Sequence, residues 1–511
     1  LNWFDRYVVA PVAPRMALHR AAARRALKAY YEADEESRLR KKPKDRRSGD
    51  AQNERANIGM RASARHLDQN FDIASGVLDI LETNIIGRGV QPEPQVLLTS
   101  GEPATEFNSH LMRLHDLWAH EHDVTGQFHL YEGQRLMVRS WARDGDVFAQ
   151  KLIGNVPGLT YGTVLPYALE YLEADFVPDD LNDASRRITQ GIERNAWGRT
   201  IAFHVLKEHP GSTLSFKLEA KRIPAQSMVH LKLVKRFHQA RGVTLFASVL
   251  NRYGDIKEID EAERVAAKVA ASMAAYIKKA TPDMYEAAVD EMGQPRARNM
   301  EFMAGIVFDD LQPGEEIGTI DTRRPNNALI PFRDSQLRAA AAGTKVSFSS
   351  SSKNYNGTYS AQRQELVEQW GMYQGLGSSF VYRVAQPVWD GFIDAVVASG
   401  AIEIPRNVDR ETLYDCVHTG PSMVWIDPVK ETEAQVMQLK WALKARSRII
   451  RERGDNPDQV NREIERDRKE RERLGIEFLD LQQADPQPER EDDPDEGNPG
   501  QGENENGASN A

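Results

Sequence analysis

Between about Asp255 and Lys279, Ile259, Ala262, Ala266, Val269, Met273 and Ile277 recur at helical spacing among charged positions. The pattern predicts one long amphipathic helix, ~37 Å in length at about 1.5 Å per residue. Alanines at 266, 267, 270, 271, 274 and 275 let neighbouring helices approach closely. A thin rod of this kind cannot cover its own apolar stripe. It fits a ring of repeated neighbours, closed by heterologous contacts, better than the core of a monomer.

The flanking sequence predicts an α+β fold that is mainly helical. Helices are expected from Pro14 to Glu36, then, after the polar linker KKPKDRRSGD, over Ser63–Ile86, Glu106–His122 and Leu130–Arg143. From Asp146 to His230, short apolar runs such as VFAQKLIG and TIAFHVL alternate with Gly, Pro and Asp and read as strands and turns. After the long helix, MEFMAGIVF and DDLQPGEE suggest a small mixed α/β insert, and a short helix is expected near Asp334–Ala342. GTKVSFSSSSKNYNG offers little to bury and predicts a flexible loop. A helix over Thr358–Ser399 should bend at Gly371, Gly375, Gly377 and Pro387. Helices resume at Pro428, with a new one after Asn456 whose first residue is Pro457 and whose stop is Gly475. The acidic, Pro- and Gly-rich run beyond Ala484 predicts disorder. With 511 residues, more than one packed unit is expected.

A net charge of -10 argues against a tight grip on DNA, which depends on clustered cations, but leaves room for loose contact. Charge is uneven: the first 50 residues are a basic arm and the last 28 an acidic tail, each most simply solvated. Cys416 is the only cysteine, so no intrachain disulfide and no multi-cysteine metal site is available. No apolar run is long enough to cross a bilayer, and LNWFDRYVVAPVAP lacks a signal-peptide core, so neither export nor membrane insertion is expected.

Catalytic signatures are sparse. The chain has no GxxxxGK[ST] phosphate loop, no GxSxG nucleophile turn and no HExxH pair, so no catalytic or cofactor-binding residue is assigned. The histidine-rich stretch His115, Asp116, His120, Glu121, His122, Asp123 and His129 is the one competing feature. It supports an alternative reading as a metal-dependent nuclease or hydrolase in which His115 and His122 share a helix face. Polar positions on a half-exposed helix explain it more simply, and no metal ligand is assigned.

Several ordered stretches carry a resemblance to the lambda-type portal proteins of long-tailed phages, from about Asp5 to Leu474. DRYVVAPVAPRMALHRAAARRAL resembles the family's first helix. LPYALEYLEADFV, ending in Glu173, Ala174 and Asp175, and GIERNAWGRTIAFHVLKEHPG resemble its next segments. In RIPAQSMVHLKLVKRFHQARGVTLFASVL, Pro224, Ala225, His230, Arg236, Gln239, Arg241 and Gly242 fall on family positions, whereas Phe237, His238 and Thr244 replace the usual Pro, Gly and Pro. GTYSAQRQELVEQW, with Tyr359, Ser360, Arg363, Glu365 and Trp370, resembles the family's serine-arginine helix start.

The resemblance implies a non-enzymatic ring of twelve copies at one capsid vertex, assembled in the host cytoplasm and carried in the virion. Its partners would be double-stranded DNA bound without sequence preference, the terminase large subunit, the major capsid protein and a head-completion or tail-connector protein, with no cofactor. Carried onto this chain, residues 51–254 become the wing, 255–279 a stem helix, 280–318 the clip, and 319–342 a second stem segment. Residues 343–357 become a tunnel loop, 358–427 a kinked helix returning to the wing, and 428–483 the crown. Lys345, Ser349, Ser350, Lys353, Asn354 and Tyr355 are then the candidates to meet DNA in the channel.

Overall fold

Ser48 accepts a hydrogen bond from the Ala51 amide at 3.2 Å and so caps α1 (Gly49–Asn70), inside the stretch expected to be linker. The single helix expected over Ser63–Ile86 is broken at Phe71, whose extended backbone (φ -138°) separates α1 from α2 (Asp72–Ile85). Phe71 is buried edge-on against Tyr253, with ring centroids 5.7 Å apart. That long-range contact overrides the local helical period. The expected apolar face is real: Leu67, Ala74, Leu78 and Leu81 are all buried. The computed structural model describes residues 12, 16, 47–212, 219–271, 275–279, 315–319, 329–423 and 428–475. These fall in two compact units, Leu1–Pro421 and Ser422–Ala511. The basic arm, most of the clip and the acidic tail lie outside the described residues.

In the first unit the chain continues through β1 (Gln91–Pro94), α3 (Thr105–His120) and α4 (Leu130–Asp144), close to the expected bounds. Seven strands and linking turns follow: β2 (Asp146–Ile153), β3 (Tyr167–Glu173), β4 (Ile188–Thr189), β5 (Ile192–Arg194), β6 (Thr200–Leu206), β7 (Ala220–Pro224) and β8 (Met228–Lys232) make up the expected strand-rich region. They form two antiparallel sheets, ordered β3-β2-β8 and β4-β5-β6-β7. Phe148, Leu172, Val177, Phe203, Val205 and Ile223 pack into one core that joins them. Burying such side chains contributes roughly 1.5–3 kcal/mol each.

The rod is shorter than its period suggests. Helix α5 (Leu250–Ala271) ends before β9 (Ala275–Lys279), which pairs antiparallel with β10 (Glu315–Thr319), Ile277 opposite Ile317. Strand pairing across some forty intervening residues is not visible to a local helical count, and it claims the last turns expected of the helix. Along α5, Tyr253 and Ile256 are buried, but Ala262 and Val265 are exposed and Ile259 is only half-buried. Helix α6 (Leu329–Thr344) runs beside it, with Arg333 donating to both oxygens of Asp260 at 2.8 and 2.9 Å.

Next come α7 (Phe348–Ser352), α8 (Tyr359–Phe380) and α9 (Gln386–Ser399). The expected irregularity in the last stretch is a π-turn at Val381–Ala385, while Gly371, Gly375 and Gly377 sit in regular helix. Gln386 N–H bonds the Val381 carbonyl five residues back, just before Pro387, which has no amide proton to continue the ladder. Strand β11 (Cys416–Thr419) pairs with β1. No helix among the described residues is long and apolar enough to cross a membrane.

The second unit contains α10 (Pro428–Lys440), α11 (Arg446–Glu452) and α12 (Pro457–Leu474). Asn456 Oδ1 accepts from the Asp458 and Gln459 amides at 2.9 and 3.2 Å, Pro457 opens the helix and Gly475 ends it in left-handed geometry, as expected from the sequence.

Candidate functional site

The serine-rich segment after α6 is more ordered in its contacts than its composition predicts. Val346 and Ser347 are buried, and Ser347 caps α7 by accepting from the Ser350 amide at 3.1 Å. Ser349 donates from its amide (3.2 Å) and its hydroxyl (2.5 Å) to the carboxylate of Glu365 on α8. The flexible-loop expectation is therefore corrected: hydroxyls that look unemployed in sequence satisfy a neighbouring helix and its carboxylate. Ser349, Ser350 and Asn354 are half-buried, whereas Lys345, Lys353 and Tyr355 are exposed.

Both lysines occupy left-handed backbone, Lys345 at φ 59° and Lys353 at φ 54°. Lys345 follows α6 in a Schellman-type stop, with the Val346 amide reaching back to the Ala341 carbonyl at 3.3 Å, and Lys353 ends α7. Glycine fits such positions with less strain, by about 1 kcal/mol. The stretch 343–357 thus presents two cations and no carboxylate of its own, on a framework pinned by Glu365.

The first unit also holds a buried charge network. Arg241, fully buried, donates to Asp146 (2.6 Å) and to the carbonyls of Val177 (2.7 Å) and Ala174 (2.9 Å). Burial would raise the Asp146 carboxyl, but the charge of Arg241 and the hydrogen bond from His230 outweigh it and hold it far below the usual carboxylate range. Asp179 links Arg241 to Arg61, which also meets Asp175 at 3.0 Å. Gly242 and Gly145 allow the two backbones to touch: a Cβ on Gly242 would lie 1.9 Å from the Gly145 carbonyl oxygen. Sequence reading placed Arg241, Gly242 and His230 in a family motif; their shared role as a clamp on β2 needed the fold.

The histidine stretch does not assemble a metal site. His122 donates Nδ1–H to the Ala119 carbonyl (3.2 Å) and accepts from the Tyr171 hydroxyl at Nε2 (2.7 Å), so neither nitrogen offers a lone pair to an ion. Burial pushes His122 down to about 4. His115 is buried among Trp118, Trp389 and Phe392, with ring centroids 5.4–5.8 Å away, so both residues are core rather than half-exposed positions. Trp389 and Phe392 come from α9, distant in sequence, which is why the local pattern suggests exposure.

Among the described residues, the group with metal-ligand proximity is instead Glu173, Asp175 and His209. Its chemistry does not fit a cation. The Gly211 amide donates to His209 Nδ1 at 3.0 Å, leaving the proton on Nε2, which faces Glu173 Oε2 at 3.4 Å. Arg61 and Arg65 already sit on Asp175, and Arg65 and Arg143 each lie 3.6 Å from Glu173.

The family model described as phage portal protein, lambda family, matches residues 35–376. The probable portal protein of Halomonas phage phiHAP-1 is 23% identical over 435 residues, spanning 82% of this chain and 81% of that protein. Portal protein B of Escherichia phage lambda is 22% identical, spanning 58% of this chain and 61% of its own length. A chain from the neck of an empty gene transfer agent particle superposes with a TM-score of 0.46 at 11% identity, covering 79% of this chain and 94% of that one.

Proposed function

Since the chain belongs to the lambda family of phage portal proteins, a non-enzymatic structural component of the ring at the virion's portal vertex, we propose that twelve copies surround a DNA channel lined by residues 345–355. The observation that carries the channel reading is the pair of exposed lysines at left-handed positions, in a segment that holds no carboxylate of its own. Strained backbone at an exposed cation points to a use for that cation. Two lysines per copy, on a subunit of net charge -10, give transient phosphate contact without the grip that would arrest a moving duplex.

In this reading residues 51–254 form the wing, α5 from Asp255 on and α6 the two stem segments, β9 and β10 the base of the clip, residues 358–427 the return to the wing and residues 428–483 the crown. The exposed Ala262 and Val265 on α5 support a stem covered by neighbouring copies. The ring would serve procapsid assembly, terminase docking, packaging, head-tail joining and ejection, contacting the terminase large subunit, the major capsid protein and a head-completion protein.

Lys345→Ala/Lys353→Ala tests the channel assignment. Ring mass by electron microscopy should be unchanged, DNA retained per particle should fall, and DNA binding by isolated rings should become less sensitive to salt. Unchanged DNA retention and salt dependence would remove residues 345–355 from the channel.

A further inference from the structure

Asn356 precedes Gly357 in the connection between α7 and α8, and both residues are exposed. Among the described residues no other asparagine is followed by glycine. The pairing sets an electrophilic carboxamide beside a backbone nitrogen whose residue has no Cβ to obstruct approach.

The contacts around the pair leave both reacting groups free to move. Asn356 donates its backbone amide to Asn354 Oδ1 at 3.1 Å, and no partner among the described residues holds its side-chain carboxamide. Asn195 is the contrast, because its Oδ1 accepts from the Trp197 and Arg199 amides, both at 2.9 Å. The Gly357 amide donates to the Tyr355 carbonyl at 3.0 Å, closing a loop of three residues. Hydrogen bonds across so short a loop are bent and weak, and Gln362 Nε2 supplies that carbonyl with a second donor. The carbonyl therefore stays satisfied when the Gly357 nitrogen leaves it.

We propose that Asn356 is a site of spontaneous deamidation. The Gly357 nitrogen attacks Asn356 Cγ, a new C–N bond forms, and the side-chain nitrogen departs as ammonia, carrying the proton that Gly357 gives up. Water then opens the resulting succinimide at either carbonyl, leaving aspartate or isoaspartate. The sequence needs no oxidant or reductant.

The consequence for DNA rests on the channel reading given above. Residues 343–357 hold Lys345 and Lys353 and no carboxylate, so one added carboxylate cuts their net charge from +2 to +1. It stands two residues before Thr358, which caps α8, and the positive end of that 22-residue helix favours an anion there. Isoaspartate also adds a methylene to the backbone of the short connection that leaves α7 at Lys353 and enters α8. Losing net positive charge weakens transient phosphate contact, so a subunit's hold on DNA declines with age.

The full chain is incubated at pH 7 and pH 9 and its peptides are followed by mass spectrometry, with the Asn506–Gly507 pair as an internal reference for the chemistry. Asn356 should gain one mass unit at a rate within about tenfold of Asn506, and faster at pH 9, since attack needs the deprotonated Gly357 nitrogen. Asn195 should stay unchanged. Gly357→Ala should slow the gain at Asn356 by about tenfold. Its added Cβ meets Gln362 at 3.7 and 3.8 Å, ordinary contact, so the fold is kept. Conversion of Asn506 with none at Asn356 would overturn the proposal. Rings carrying Asn356→Asp should retain less DNA than wild type; equal retention, with conversion of Asn356 observed, would overturn the channel reading and leave the modification site in place.

Discussion

Removal of Arg241 should be among the most damaging single changes in this protein. Its guanidinium is fully buried, pairs with the fully buried Asp146 at 2.6 Å and satisfies two carbonyls at 2.7 and 2.9 Å. Arg241→Met keeps most of the side-chain volume and leaves Asp146 with His230 as its remaining side-chain partner. Breaking one half of a buried ion pair costs about 3–5 kcal/mol, against a total stability of about 5–15 kcal/mol for a typical domain. Urea unfolding followed by far-ultraviolet circular dichroism at pH 7 reads this directly. A second reading at pH 4.5 tests the cause. In the native chain the Asp146 carboxyl is depressed, so its contribution is present above the usual carboxylate range and lost as pH falls through its folded value. Without Arg241, burial dominates and the carboxyl rises, so the variant is penalised most where the group must ionise. The deficit should therefore be larger at pH 7 than at pH 4.5. A loss below about 1 kcal/mol, or one equal at both pH values, would refute the claim that this pair organises the sheets.

Other outcomes follow from single residues. His238 sits at φ 61°, where the family's usual glycine fits without strain, so His238→Gly should raise stability by about 1 kcal/mol in the same urea assay; a loss would show that its side chain contributes more than its backbone costs. His122 is pushed from 6.5 to about 4, so the folded state resists protonation: stability is full above pH 6.5 and on the order of 3 kcal/mol is lost as pH falls to about 4. His122→Asn should flatten the acid limb of the stability profile by one proton, and an unchanged limb would mean that other groups set it.

Helices α3, α4 and α12 were legible in the sequence because their signals are local: an apolar period, an Asn456 cap, a Pro457 start and a Gly475 stop act within a turn or two. The same is true of the strand-rich texture over 146–230. The channel candidates were named from a resemblance, and of these Lys345 and Lys353 carry features, exposure and left-handed backbone, that no composition reveals.

What the amino-acid order determined by itself was therefore the inventory: mainly helical α+β, no phosphate loop or nucleophile turn, an apolar rod that one copy leaves partly uncovered, and the portal family. Tertiary structure alone decided where α1 breaks, that the rod yields to strand pairing after Ala271, that His115 and His122 are core, and that Glu365 pins the serine segment. The physical reason is range. Caps and periods are energies between residues a few positions apart, whereas Phe71 on Tyr253, β9 on β10 and Arg241 on Asp146 join residues tens to hundreds of positions apart and exist only once the chain has closed on itself.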